Sequence, residues 1–512
     1  MRKHFIRNRK VRFGGIAAVL TALVIAVTVL ANAIFSTLAD RYGWHSSMLT
    51  PVNYDVTDGC YALLDGFFEE HSDAKVEIIF CSKEKVLMTQ DQTAILYQTA
   101  KSLTERYSEH LTLTCYDIRS NPTHVKQYMT TLDPLTGETV PTNLNDASVI
   151  FVSEGYHRVY AWNEFYAFDA KDSSSMWGFN GEKKFSAGIM RAVEKDAPVA
   201  CLTTNHGEAF YDYELLYLLD DAGYMLSFLD LYKDPIPEEC ELLISFNPNT
   251  DLVDDEISQT SELEKLESFL AVDGHSYLVF MENGTPSLPN FERYLAEWGV
   301  AFNYHTDVAT GNSYRYMVQD TSRALTADGY TIYGDAVTTG ISAQITAGVR
   351  PGRVVFQNAT AMRADPSYQN IGDGSYQKGN RTLHALYQGG SNAVSWANGN
   401  PVSRDRALLA TLTEQTNGDA TSYVGVFASA NFSTGEYLQS AVYANADAML
   451  GLLRYCGREN VPQGLPVKPF LSQNISSITT AQMLAWTITL AVTPAVLVSA
   501  IAIVVLVRRR RS

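Results

Sequence analysis

The usual signatures of catalysis are missing from this chain of 512 residues. It has no G-x-x-x-x-G-K-[ST] run, which removes P-loop ATP hydrolysis, and no G-x-G-x-x-G opening a helix, which leaves dinucleotide binding unsupported. G-x-S-x-G, H-E-x-x-H and EF-hand patterns are absent too, so no nucleophile elbow, zincin site or calcium loop is encoded. Cysteine is scarce: Cys60, Cys81, Cys115, Cys201, Cys240 and Cys456 are scattered, with no C-x-x-C. Cys81, Cys115 and Cys201 sit in apolar runs, where a free buried thiol is the ordinary outcome, and the spacing offers no metal-ligand set. Positive charge is lacking where it would matter. Residues 1–39 hold six Lys/Arg and no acid, and Arg508 to Arg511 add four more, so the body between them is more acidic than the total of −17 indicates. Such a body repels phosphate and is read as binding no nucleic acid. Internal repeats and low-complexity tracts are also absent.

What is present is apolar: 46% hydrophobic against 19% charged residues, in a length that implies two or three domains. Two runs, 16–35 and 483–507, reach the ~20 residues that a hydrocarbon core of about 30 Å demands of a helix. Their basic flanks, the tail 1–15 and the Arg tail 508–512, place both termini in the cytoplasm and the acidic body outside it. The expectation is a two-pass protein of the cell membrane. Ala31-Asn32-Ala33 also fits a signal-peptide cleavage site, which would remove the first segment.

The body alternates strand-like and helix-like segments. Residues 40–175 contain strand candidates at Val76 to Cys81, Leu111 to Ile118 and Ser148 to Val152, with a helix over Gln92 to Tyr107. Residues 176–461 open with a helix ending at Val193. They continue through strands at Val199, Met225, Glu241 and Ser276, with helices over Tyr213 to Ala222, Asp254 to Leu270 and Asn290 to Trp298. This rhythm predicts two extracytoplasmic α/β units of Rossmann or flavodoxin type, largely parallel, standing between an N-terminal and a C-terminal transmembrane helix. The second unit carries a Thr/Tyr/Gly-rich insertion, in which 365–379 reads as a mobile loop, and 462–482 is the outgoing stalk.

The most distinctive stretch is Pro198 to Glu208, an apolar strand feeding the turn Thr203-Thr204-Asn205-His206-Gly207-Glu208. His206 and Glu208 are the only clustered titratable pair at an expected strand carboxyl end. Their H-x-E spacing is that of zinc deaminases, but the following P-C-x-x-C is absent. A histidine near neutrality suits acid–base chemistry, yet no nucleophile accompanies it. The plain reading is a loop histidine and a helix-start glutamate, compatible with partner recognition. Thr204, Asn205, His206, Gly207 and Glu208 are therefore the candidate ligand or partner loop, with no catalytic residue, metal or cofactor expected.

Short motifs along the chain carry a resemblance. They are Tyr54-Asp55-Val56-Thr57, Phe179-Asn180-Gly181-Glu182, His206-Gly207-Glu208, Ile236-Pro237, Glu241 to Pro248, Asp273-Gly274, Val426 to Phe432 and Asn445. In this order the chain resembles the membrane-anchored auxiliary component of bacterial ABC-type transport systems related to the gliding-motility auxiliary protein. That family's turn reads Gly-His-Gly-Glu; here Asn205 replaces the first glycine and tolerates the same left-handed backbone. The resemblance implies separate ABC-type ATPase and permease subunits as partners, beside membrane lipid, and a non-enzymatic accessory role. The alternative expectation is an extracytoplasmic hydrolase or carbohydrate-binding protein using His206 and Glu208.

Overall fold

A computed structural model describes residues 55–470 and Leu30, apart from 121, 133–138, 143, 170–171, 195–196, 209, 256–259, 307, 312, 348, 350–352, 398–399, 404–405, 441 and 459. The chain divides into Met1–Asp55 and Val56–Ser512, and every element below belongs to the latter. Apart from Leu30, the expected membrane segments 16–35 and 483–507 lie outside the described residues, as do both basic tails. Among the described residues no helix is long and apolar enough to cross a membrane, which corrects the expected two-pass placement with an extracytoplasmic body.

Thr57 caps the first helix, α1 (Asp58–Glu70), accepting from Cys60 N, and Cys60, Leu64, Phe67 and Phe68 form its buried stripe. Strand β1 (Val76–Phe80), helix α2 (Asp91–Arg106), strand β2 (Leu111–Cys115) and the hairpin β3 (Ser148–Ser153) and β4 (Tyr156–Ala161) follow. They build a four-stranded sheet of order β2-β1-β3-β4, in which only β1 and β2 run parallel. The largely parallel first unit is thus corrected to a mixed sheet. Its cause is local: β3 enters against β1 in the opposite direction, and a tight turn through Glu154 and Gly155, both at positive φ, sends β4 straight back.

Helix α3 (Gly181–Val193) leads onward, and almost every one of its residues is buried. Gly188 lets it press on Phe151 of β3, since a Cβ there would meet that ring at 2.7 Å. Its polar side chains are sealed in with partners: Lys184 with Asp221 at 2.6 Å, and Arg191 with the carbonyls of Asp220 and Tyr224.

Beyond α3 come β5 (Val199–Thr204), α4 (Glu214–Asp221), β6 (Met225–Asp230), β7 (Cys240–Phe246), α5 (Glu262–Phe269), β8 (Ser276–Phe280) and α6 (Pro289–Glu297). Late strands complete the sheet: β9 (Gln369–Gly372), β10 (Ser375–Lys378), β11 (Arg381–Gln388), β12 (Leu408–Asn417) and β13 (Ala420–Phe427). Helix α7 (Asn445–Tyr455) follows them. Twelve of the described strands share this sheet, and its main path runs β6-β5-β7-β8-β13-β12-β11-β10-β9. Pairing is parallel from β6 through β13 and antiparallel from there on. The expectation of two α/β units between transmembrane helices is therefore overturned by several mixed and antiparallel sheets. The Thr/Tyr-rich segment after 300 does not decorate a finished parallel sheet but extends it with antiparallel strands.

Candidate functional site

In the parallel section the chain passes from β5 to β6 on one side and then crosses to β7 on the other. The loops leaving the carboxyl ends of β5 and β7 consequently diverge, and open sheets place ligands in the crevice between such loops. The Thr204–Glu208 loop stands there, and its own side chains tie it down. Thr204 Oγ1 donates to Leu229 O at 3.2 Å and Asn205 Nδ2 donates to Asp230, both on β6. On the β7 side, Asn249 N and Thr250 N donate to His206 O at 2.7 and 2.9 Å, and Asn249 Nδ2 donates to Gly207 O at 3.0 Å. Asn205 and Gly207 both have φ near +76°, the left-handed backbone that the sequence anticipated at Asn205.

His206 is the centre of the cluster and is 4% exposed. Its Nε2 lies 3.0 and 3.2 Å from the two carboxylate oxygens of Glu262, the more distant of which is in line for a hydrogen bond. Its Nδ1 lies 3.4 Å from Glu208 Oε1, an ionic contact without hydrogen-bond geometry. Glu208 also accepts from His206 N at 2.6 Å and from Thr203 Oγ1 at 2.8 Å. Behind Thr203, Ser245 Oγ is 2.8 Å away and accepts from the buried Tyr277 hydroxyl at 2.7 Å. One orientation satisfies the whole chain, with Tyr277 donating to Ser245, Ser245 to Thr203 and Thr203 to Glu208. Glu262 accepts from Val253 N at 2.6 Å as well.

Burial alone would pull the His206 imidazolium down, but the close contacts with Glu208 and Glu262 and their charges outweigh it and raise the pKa to about 10. Against the opposing pull of burial, the bonds from His206 and Thr203 hold the Glu208 carboxyl below its ordinary value. At neutral pH this is an imidazolium between carboxylates with no lone pair to accept a proton. It clamps the loop after β5 to the start of α5. Glu262 was not singled out in the sequence, because the helix was expected to begin at Asp254. It starts instead after Ser261, whose hydroxyl accepts from Glu264 N at 3.2 Å, while Asp254–Asp255 pair with Thr260–Ser261. The Ser261-x-x-Glu264 spacing is the signal that locates this start.

Several of the other resemblance motifs also end in tie points between distant segments. Thr57 donates through N and Oγ1 to Glu182 at 2.7 and 2.8 Å, and Lys468 Nζ reaches the same carboxylate at 2.6 Å. Asp273 accepts from Thr421 N at 2.7 Å. Asn445 closes a two-way pair with the Val355 backbone and donates to Phe432 O at 3.0 Å.

A second polar constellation had no sequence signal, since strand pairing and the fold bring its members together. Ser375 Oγ lies 2.8 Å from His384 Nδ1, and His384 Nε2 lies 3.4 Å from Glu414, which accepts from Tyr455. Ser375 and His384 are cross-strand neighbours, both buried. A nucleophile inside a sheet ladder has no approach for a substrate, so the set cross-links β10, β11 and β12. Among the described residues no group of three or more His, Cys, Asp or Glu is arranged to hold a metal ion.

Comparison with family models and with curated proteins gives no match. A solved structure described as the mmIFT52 N-terminal domain is similar at a TM-score of 0.35 and 14% identity, over 50% of this chain and 96% of that one. A likeness this loose carries no argument. The expectation of a transmembrane, ABC-transport, gliding-motility-like protein is not met, because no described helix can span a membrane and no match links the chain to either process.

Proposed function

We propose that this chain is a non-enzymatic accessory subunit, a pre-organised body that works by contact with partner proteins. The observation that supports this most is the state of His206. A general base must offer a free lone pair near neutrality, and an imidazolium sealed between Glu208 and Glu262 offers none. The crevice where a parallel sheet would receive a ligand is bridged by the chain's own hydrogen bonds, from Asn205 to Asp230 and from Asn249 to the Gly207 carbonyl. The partners to test first are the ATP-hydrolysing and permease subunits that the sequence resemblance implies. Affinity capture of the full chain from its native cells, read by mass spectrometry, is expected to recover both at fixed stoichiometry. A chain that elutes alone under several mild extraction conditions counts against the reading. Turnover of a glycan substrate, abolished by His206→Ala with the fold intact, would replace it with a hydrolase.

A further inference from the structure

The main path of the large sheet ends in two strands, and they differ. At one end β9 is exposed throughout, finishes in Gly372 and is kinked by a bulge between Asn370 and Gly372, features that discourage further pairing. At the other end β6 reads Met225-Leu226-Ser227-Phe228-Leu229-Asp230, pairs with β5 alone and holds its register without a break. It contains no proline, lysine or arginine, and its central Phe228 is 62% exposed. Natural edge strands are guarded by such residues or by bulges, and β6 has neither.

The pairing pattern shows which backbone groups are spare. Met225 N donates to Pro198 O at 2.9 Å and the Leu229 carbonyl accepts from Thr204 Oγ1, so Met225, Ser227 and Leu229 face β5. In a parallel ladder alternate residues face opposite ways, and Leu226, Phe228 and Asp230 turn their N–H and C=O outward. Tyr224 O and Asp230 O are already taken, the first by Arg191 and the second by the N–H groups of Lys233 and Asp234. Between these closures, Leu226 N and O, Phe228 N and O and Asp230 N have no hydrogen-bond partner among the described residues. Residues 226–230 thus form a slot for one short extended segment.

Charge at the two ends of the slot selects the occupant. The cations there, Lys233, Arg191 and Arg458, are each paired already, with Asp230, Asp220 and Glu194. Asp234 is exposed just past the strand. Glu238, Glu239 and Glu241 are exposed near its start, where Glu239 O accepts from Val199 N and Val199 is the register partner of Met225. A second copy would bring the same acids and a formal charge of −17 against them, which disfavours self-pairing. We propose that residues 226–230 take up an extended segment of a partner protein as an added strand, with apolar side chains beside Leu226 and Phe228 and a Lys or Arg at each end. This docking mode stands apart from the accessory-subunit reading, since a peptide probe needs neither an ATPase nor a permease in order to bind.

Calorimetric titration of the full chain with acetyl-Lys-Val-Thr-Val-Lys-amide tests it. The two valines would pair with Leu226 and Phe228, so the same peptide N-methylated at both loses its donors and should bind roughly tenfold more weakly. The Glu-flanked counterpart should weaken by a similar factor. Phe228→Lys alters an exposed side chain, and Leu226→Pro removes an outward donor but no bond to β5; each should weaken binding about tenfold. Circular dichroism confirms the fold of both, and were Leu226→Pro to unfold, Phe228→Lys decides alone. Hydrogen exchange resolved to single amides gives a second readout. Leu226 and Phe228 should exchange fast in the free chain and slow roughly tenfold with peptide, whereas Ser227 and Leu229 are slow in both. Absence of binding by the Lys-flanked peptide at millimolar concentration overturns the proposal. Equal binding of the N-methylated or Glu-flanked form, or unchanged exchange at Leu226 and Phe228, does so too. A stable dimer of the chain alone that is lost in Phe228→Lys also overturns it and assigns the edge to a second copy.

Discussion

Replacing His206 with glutamine removes the only cation between Glu208 and Glu262 and leaves two buried carboxylates 3.0–3.4 Å from where the imidazolium stood. Breaking a buried ion pair from one side costs about 3–5 kcal/mol, because the remaining charge is uncompensated. Linkage gives a second estimate. The histidine pKa rises from 6.5 to about 10 on folding, which corresponds to roughly 5 kcal/mol. A group whose pKa is raised in the folded state stabilises fully below its unfolded value, and that contribution drains away as pH climbs toward the folded one. The window is therefore pH 6.5 to 10. Urea unfolding of the full chain and of His206→Gln should differ by roughly 3–5 kcal/mol at pH 6, with the gap reduced by more than half at pH 9. Adding Glu262→Gln to the first change should recover part of the loss, since it removes one stranded charge. A gap below about 1 kcal/mol at pH 6, or one that stays constant to pH 10, would refute the ion-triad account.

Three further outcomes follow from the same geometry. Glu182→Ala should cost about 3–5 kcal/mol by removing the buried carboxylate that Lys468 and the Thr57 donors share, and hydrogen exchange should speed up at the amides of residues 57–61. Asn205→Gly should be nearly neutral while Asn205→Val destabilises by about 1–2 kcal/mol in thermal melts, because φ is +76° there. Ser375 should remain unmodified by a fluorophosphonate in intact-mass measurements, and Ser375→Ala should lower stability by about 1 kcal/mol through loss of its bond to His384.

Segments with a strong period were legible in the sequence. Val76–Phe80, Ser148–Ser153, Cys240–Phe246 and Ser276–Phe280 are mostly apolar and mostly buried, and each falls within a residue or two of the strand expected. Strand direction was not legible, because an apolar run reads alike in either sense; the largely parallel sheet expected of the first unit therefore contains β3 running antiparallel to β1. The expected mobile loop at 365–379 contains the hairpin β9–β10 instead. Strand β9 is exposed throughout and shows no apolar alternation to reveal it. Strand β12 escaped for a related reason: Thr411, Thr413 and Gln415 are buried polar positions whose pairing satisfies the backbone but blurs the pattern. At the candidate site the sequence supplied the loop and its left-handed asparagine. It could not supply Glu262, whose role depends on a tertiary contact 56 residues away.

The shared grip on Glu182 has a topological consequence. Thr57 enters and Lys468 leaves at one carboxylate, and the pairing of Lys468–Pro469 with Gly178 and Phe179 secures the exit. More than four hundred residues of sheet and helix therefore hang as a closed loop from a single knot. Tension applied across that knot would shear one ion pair and a few backbone bonds before it reached the four-stranded or the twelve-stranded sheet. The same proximity of entrance and exit would let the whole body be carried as an insertion within a surface loop of another protein.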